Sequence, residues 1–248
     1  LTTFLGAHAI PREYRGRRDA YVEQVIEEQL PAIRDVADFI DVYVDRGAFT
    51  VEEGRRILAA GQDVGLKARI HAEQVAYTGA AEMAADLGAT SADHLERIDQ
   101  AGIEAMAEAK VVAVLLPGAM LYLKDPAPPI QELRKAGVRL AVATDLNPGS
   151  SPVDDLWACA TLSCITMGLT VEEALLGITR NGALALGRDD LGVLREGAPA
   201  DVAIFSPQQG EPLDASCFVQ HLTGPDADVV LRDGRIIRAN LPMSEPGL

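Results

Sequence analysis

The chain has 248 residues and a formal net charge of −15, with 48% hydrophobic and only 4% aromatic residues. This length suits one large α/β domain with an aliphatic core. The acid excess argues against nucleic acids and acidic membranes as partners, because both bind clustered Lys and Arg. No run reaches the roughly 18 apolar residues of a spanning helix, and no secretion signal opens the chain, so we expect a cytoplasmic protein.

Short apolar segments alternate with amphipathic helical segments from the start of the chain to about residue 187. The predicted strands are Thr3–Ala9, Phe39–Val44, Lys67–His71, Thr90–Asp93, Val111–Leu116 and Arg139–Ala143. The predicted helices are about Asp19–Val36, a helix that follows Thr50 and ends near Gly61–Gly65, Thr78–Leu87, Gln100–Ala109, Pro129–Lys135, Val153–Met167, Val171–Ile178 and Asn181–Leu186. This alternation predicts parallel strands with helices outside, but six units fall short of the eight that close a (β/α)8 barrel of the TIM type.

Local signals mark several element ends. Thr50, with Glu53 three residues later, predicts a capping box. Ser151, with Asp154 three residues later, is expected to cap the next predicted helix in the same way. Pro117-Gly118 closes the fifth apolar run, which therefore reads as a strand buried on both faces.

The pattern changes after Gly187 to short strands with turn residues between them. Ala200–Phe205, Val229–Leu231 and Arg235–Ile237 are predicted strands, and Asp233-Gly234 fits a two-residue hairpin turn. We predict a partial barrel over residues 1–187, the C-terminal part of a small β-sandwich domain over residues 188–240, and a loose tail over residues 241–248.

Three cysteines, Cys159, Cys164 and Cys217, form an odd set without metal-type spacing. The first two fall in an apolar helical pattern, which predicts small buried thiols. We expect a reducing compartment.

Polar residues stand at three predicted strand ends. His71 ends the third strand, His94 follows the fourth, and Asp145 follows the sixth. The carboxyl ends of barrel strands meet at one rim, so these side chains are typical of a metal-dependent hydrolase. Asp145 has a rival interpretation as a turn former or helix cap, but the next predicted helix starts later.

Other polar residues are less decisive. His8, near the first strand end, is as well explained by a hydrogen-bonded rim position as by a substrate role. Gly149-Ser150-Ser151 is similar to an anion-binding turn before a helix. His221 has no companion residues and is expected at the surface.

The chain resembles imidazolonepropionases of the amidohydrolase superfamily. The resemblance rests on Phe4–Ala9, Ile70–Ala72, Ser91–Glu96, Val114–Gly118 and Ala143–Ser151, and covers nearly the whole chain. The segment Leu194–Phe205, with Gly234-Arg235, is similar to the superfamily's composite β domain.

This resemblance implies a mononuclear zinc or iron site with His71 and Asp145 as two ligands. It also implies that His94 hydrogen-bonds the attacking water and the substrate oxygen, and that Gln74 contacts substrate or water. The implied substrate-contacting residues are His8, Gln74, Asn147, Gly149 and Ser150.

The implied reaction is a step of histidine degradation that opens 4-imidazolone-5-propanoate to N-formimino-L-glutamate by hydrolysing a cyclic amide C–N bond. A cyclic amide is a poor electrophile, so a metal must activate the water and polarise the carbonyl. Asp145 is expected to accept the proton of the water, and His94 to stabilise the oxyanion. The resemblance also implies a homodimer that acts on a small molecule.

One departure from the family is important. The other two family ligands form a His-x-His pair, and this sequence contains none. Two ligands rarely hold a catalytic zinc, which usually takes three protein ligands plus water. We therefore expect a truncated chain with barrel strands three to eight, inactive alone, without the family's upstream Arg and Tyr contacts to the substrate carboxylate. The edges Thr3–Ala9 and Arg139–Ala143 should then be unpaired, so that the chain aggregates, dimerises or needs a missing piece.

Three alternatives remain open at this point. The chain could be another amidohydrolase, such as a purine or triazine aminohydrolase, although His8 and Asn147-Pro148-Gly149 count against this. It could be a non-catalytic fragment or assembly partner. Upstream residues with the histidine pair could also exist in the natural protein.

Overall fold

A computed structural model describes residues 1–206 and 214–240. The predicted tail at 241–248 lies outside these residues. Six strands form one parallel sheet in chain order: β1 (Thr3–Ala7), β2 (Phe39–Val44), β3 (Lys67–Ala72), β4 (Ser91–His94), β5 (Val112–Leu115) and β6 (Leu140–Val142). The prediction of six parallel units is confirmed. Within the described ranges the sheet is open, with β1 and β6 at its two edges, as the sequence predicted.

Helices connect the strands: α1 (Arg18–Gln24), α2 (Leu30–Ile33), α3 (Val51–Asp63), α4 (Ala80–Asp86), α5 (Gln100–Ala109), α6 (Pro117–Leu123), α7 (Ile130–Ala136), α8 (Leu156–Met167), α9 (Val171–Ile178) and α10 (Arg180–Ala185). The capping box before α3 is confirmed, because Glu53 N–H donates to Thr50 Oγ1 and Thr50 N–H donates to the Glu53 carboxylate. None of the helices in the described part of the chain is long and apolar enough to cross a membrane.

The first predicted helix is not uniform. A π-helical segment, Val25–Gln29, separates α1 from α2, and the helical run ends at Ile33 rather than Val36. Pro31 lies in the first turn of α2 and has no N–H to donate, so a wider turn before it accommodates the ring. Val25 and Leu30 remain buried on the sheet side.

One predicted boundary is confirmed and another was wrong. β5 ends at Leu115 and is buried along its length, so Pro117 closes the apolar run as predicted. Pro117 also begins α6, where its missing N–H costs nothing. Ser151 does not cap α8. Its hydroxyl donates to the Thr144 carbonyl at 2.6 Å, and Asp155 instead accepts from the N–H groups of Trp157 and Ala158 at 2.7 and 3.3 Å. A carboxylate next to the helix start reaches these donors directly, which a serine four residues earlier cannot.

The two faces of the sheet differ in chemistry. Ile40 and its outward neighbours pack on the helices, and Gly61 of α3 allows the close approach, since a Cβ there would lie 2.5 Å from Ile40 Cγ2. The inner face is polar over β2–β4, where Arg69 lies 3.8 Å from Asp93. Over β5 and β6 it is aliphatic, with Val112, Val114, Leu116 and Ala141 in one cluster. Because side chains alternate along each strand, the inward-facing polar residues are concentrated on β2–β4.

The C-terminal part forms a separate antiparallel sheet in the order β7 (Val202–Ile204), β8 (Val229–Arg232) and β9 (Arg235–Ala239). The predicted hairpin turn is confirmed, because Asp233 and Gly234 both have left-handed φ values, 49° and 73°. Trp157 of α8 stacks on Phe218 and meets Phe205 edge-on, so an aromatic cluster joins the two parts. The division at residue 187 stays a prediction.

Candidate active site

The predicted strand-end residues come together in one cleft of about 720 Å³ at the carboxyl end of the parallel sheet. Seven of the eight candidate residues line it: His8, His71, Gln74, His94, Asp145, Asn147 and Ser150. Gly149 does not line this cleft. Parallel strands end at the same edge, which explains why residues so far apart in sequence meet here.

His71 lies in the middle of the cleft floor. Its ring centroid is 3.7 Å from that of Tyr43 on β2 and 4.1 Å from that of His94 on β4. Burial, followed by the charges of His94 and His8, holds the pKa of His71 well below its ordinary value. Its Nε2 is buried and has no hydrogen-bond partner in the described part of the chain. His71 is therefore a neutral imidazole with a lone pair to offer, the form that binds metal ions.

His94 shows the opposite behaviour. Burial lowers the pKa of His94, but Glu96 and then the charges of Asp145 and Asp93 outweigh it, and the net shift is upward. The distance from Nδ1 to Glu96 Oε1 is 3.7 Å, too long for a hydrogen bond, so Glu96 acts through its charge. Both oxygens of the buried Glu96 lack hydrogen-bond partners among the described residues. Two neighbouring histidines thus have pKa values pushed apart, as acid and base partners do.

Asp145 lies three residues beyond the end of β6 and is partly buried. Burial raises the pKa of Asp145, while the His94 charge and the Asn147 side chain counteract it. Its φ of 49° and that of His94, 81°, are left-handed values that non-glycine residues adopt at a cost. Such backbone is typical of positions at which side-chain direction matters for function.

The loop after Asp145 is closed on itself. The Asn147 carboxamide oxygen accepts from the N–H groups of Gly149 and Ser150 at 2.9 and 2.8 Å, and its Nδ2 donates to the Asp145 carbonyl at 2.7 Å. The N–H groups of the turn that resembles an anion site are therefore used internally. Asn147 holds Asp145 in place, and Ser150 lines the cleft with its hydroxyl bonded to the Asn147 side chain.

Several cleft residues were missed by sequence reasoning. Tyr43 stands opposite His71 in the β2–β3 register, and Asp125 lies 3.5 Å from Gln74 Nε2. Asp41 Oδ1 and His8 Nε2 are hydrogen-bonded at 3.0 Å. The available signal for Asp41 was its position as the one charged residue of an otherwise apolar and aromatic strand.

Two buried carboxylates shape the loop after β3. Glu73 Oε1 accepts from the N–H groups of Gly79 and Ala80 at 2.9 and 3.1 Å, and Asp45 accepts from Val75 N–H at 2.8 Å. Burial raises the pKa of Glu73 to about 7. These carboxylates anchor the loop that carries Gln74 into the cleft.

The described residues of the cleft include donor types that bind a metal ion, but too few of them to form a complete ligand set. A buried, unpartnered imidazole nitrogen and a nearby carboxylate are donors that zinc or iron accepts. However, residues 1–206 and 214–240 contain no group of three or more His, Cys, Asp or Glu placed to hold a metal ion. A catalytic zinc normally takes three protein ligands, so the described residues do not by themselves supply a complete set.

Comparison with known proteins agrees with this architecture. A model of the amidohydrolase family matches residues 20–238. The chain belongs to the amidohydrolase family. The imidazolonepropionase of Myxococcus xanthus is 44% identical over 95% of this chain and 56% of its own length, and that of Ectopseudomonas mendocina is 48% identical over 89% and 55%. The resemblance stated from the motifs is confirmed, and the chain spans about half the length of the curated amidohydrolases it matches.

Solved amidohydrolase structures share the fold. A zinc-bound adenosine deaminase from Xanthomonas campestris superimposes with a TM-score of 0.71 at 20% identity, covering 90% of this chain and 57% of its own. A triazine hydrolase variant gives 0.73 at 20% identity, covering 98% and 62%. Likeness at this identity concerns the fold alone. The alternative of a purine or triazine aminohydrolase therefore has weaker support than the likeness to imidazolonepropionases at 44–48% sequence identity.

Proposed function

We propose that this chain carries part of the active site of an imidazolonepropionase. The reaction opens the ring of 4-imidazolone-5-propanoate by hydrolysis of a C–N bond and gives N-formimino-L-glutamate. The observation that carries the proposal is the convergence of His71, His94 and Asp145 on one cleft, in a chain 44–48% identical to curated imidazolonepropionases. The chain spans about half of those relatives, so the activity belongs to a larger assembly than the described residues.

The chain's own residues divide the chemistry in a way that their environments support. His94, with its raised pKa, donates to the oxygen on which negative charge develops. Asp145 accepts a proton from the attacking water and passes it to the leaving nitrogen. Gln74, His8, Asn147 and Ser150 contact the substrate from the cleft walls, with Gly149 behind Asn147.

A divalent metal, zinc or iron, belongs to this proposal. His71 and Asp145 would hold it, together with ligands that the described residues do not supply, and when bound it would lower the pKa of its water and polarise the carbonyl. We also propose a small-molecule substrate, a homodimer, a cytoplasmic location, and no nucleic-acid or membrane partner.

The test compares this chain with a fusion that adds the part of the Myxococcus xanthus relative that this chain does not cover. Loss of imidazolone absorbance and appearance of formiminoglutamate are measured with zinc or iron present. We expect turnover by the fusion, none by its His71→Ala variant, and none by the chain alone. Adenosine and atrazine serve as competing substrates. A fusion that folds and deaminates adenosine but leaves the imidazolone intact would contradict the proposal.

A second candidate is a non-catalytic assembly partner. The lack of a three-ligand group among the described residues favours it. Metal analysis and light scattering separate the two candidates. A fusion that stays free of metal and forms a defined oligomer supports the partner role, whereas stoichiometric metal with turnover supports the enzyme.

A further inference from the structure

Asp41 is an unusual residue for its position. It lies in the middle of β2, between Ile40 and Val42, which are both fully buried, and is itself only 5% exposed. A carboxylate removed from water is costly unless a hydrogen-bonding or charged partner compensates it. Its hydrogen bond within the described residues is with His8 Nε2, at 3.0 Å.

His8 lies immediately after β1 at the junction of two clefts. The first cleft contains His71, His94 and Asp145, and the second, of about 550 Å³, lies on the other side of His8 and Tyr43. The His8 side chain is 33% exposed. Its Nδ1 makes no hydrogen bond within the described part of the chain, so the ring has one nitrogen tied inwards and one available to a ligand.

The chemistry of a carboxylate decides which nitrogen carries the proton. An ionised Asp only accepts hydrogen bonds, so the His8 Nε2 that contacts Asp41 must be protonated. In the neutral ring, Nδ1 is then an acceptor, on a residue that lines both clefts. Without Asp41, the ring could rotate or adopt the other tautomer, and the group offered to a ligand would change.

We propose that Asp41 is a positioning residue that fixes the Nε2–H tautomer and the orientation of His8, and so determines which hydrogen-bonding group His8 presents to a ligand. The expected effect of Asp41 on kinetics rests on the proposed function, but its effect on the His8 tautomer does not. Asp41 also faces Arg69 across the β2–β3 register. Asp41 could instead serve only to balance the charge of Arg69. The test must distinguish this role from positioning of His8.

The test measures the ¹⁵N chemical shifts of the histidine rings, which distinguish protonated from unprotonated nitrogens. The chain has four histidines, and His8→Gln assigns the His8 signals. We expect wild-type His8 in the Nε2–H form. We expect Asp41→Asn to give a mixture of tautomers, because an amide can both donate and accept. Asp93→Asn is the matched control, since Asp93 is another partner of Arg69 but does not contact His8, and it should leave the His8 signals unchanged.

Several outcomes would overturn the proposal: wild-type His8 in the Nδ1–H form, unchanged His8 signals in Asp41→Asn, or equal changes in Asp93→Asn. If Asp41→Asn does not fold, the wild-type spectrum still decides. These spectra need no substrate, so their result is independent of the proposed reaction. In the active fusion, we further expect Asp41→Asn to raise KM about tenfold with a smaller change in kcat. The same substitution in a His8→Gln background should have no further effect.

Discussion

The imidazole rings of His71 and His94 lie 4.1 Å apart, centroid to centroid, yet their pKa values shift in opposite directions. Burial and neighbouring positive charge depress the pKa of His71. Glu96 and Asp145 offset burial at His94 and raise its pKa. One ring therefore offers a lone pair and the other a proton within the same cleft.

The first prediction concerns His71. Replacement of His71 by Ala in the fusion removes the unpartnered Nε2 and should weaken zinc binding by roughly a hundredfold or more. Isothermal titration with zinc measures this. The control is His221→Ala, which removes an exposed histidine that does not line the cleft and should leave the affinity unchanged. Equal zinc affinity in wild type and His71→Ala would remove His71 from the ligand set.

The second prediction concerns Glu96. Its charge is among the causes that raise the pKa of His94, so Glu96→Gln should lower that pKa. His94 then loses its proton at a lower pH. If activity requires protonated His94, the alkaline limb of the pH–rate profile should shift to lower pH. NMR titration of the His94 ring and a pH–rate profile of the fusion report the change. Exposed Glu108→Gln on α5 is the control, and a shift of equal size there would attribute the effect to overall charge.

The third prediction concerns Glu73. Burial raises the pKa of Glu73 from its ordinary value to about 7, so the unfolded chain ionises first and wild-type stability falls as pH rises between these values. Glu73→Gln cannot ionise. The free energy of unfolding of Glu73→Gln minus that of wild type should therefore increase between pH 4 and pH 8, by about 3 kcal/mol at most, so that the variant gains stability relative to wild type.

Urea denaturation at both pH values measures this difference. Gln keeps an oxygen for the N–H groups of Gly79 and Ala80, so the variant should fold. The control is Glu23→Gln on the exposed side of α1, which removes a carboxylate outside the loop after β3. A Glu73→Gln effect that is constant across pH would mean that Glu73 ionises normally in the folded protein.

The fourth prediction separates two neighbouring acids before α8. Asp155→Ala removes the side chain that accepts from the Trp157 and Ala158 N–H groups and should cost about 1 kcal/mol of stability. Asp154→Ala removes a residue without this contact and should cost less than about 0.5 kcal/mol. Thermal unfolding of the two variants compares them directly. The reverse order would restore the cap expected from the sequence.

Much of the fold follows from local patterns. Phe39–Val44 and Val171–Ile178 have the bounds that their sequences predict, and Thr50 forms its capping box with Glu53. These features depend on residues only a few positions apart, whose side-chain periodicity and capping chemistry are visible in the sequence. Ser151 was misread because a serine before a helix can cap it or bond elsewhere, and the surrounding packing selects between these roles.

The sequence by itself determined the parallel αβ order and placed His71, His94 and Asp145 at one edge, because strand alternation and strand direction are local properties. Only the tertiary structure decided which partners tune them. Asp41 and His8 are 33 residues apart, and their contact depends on the register between two strands. The pKa shifts of His71 and His94 likewise depend on burial and on charges that folding brings together. Electrostatic tuning arises from distances in space, which no short stretch of sequence contains.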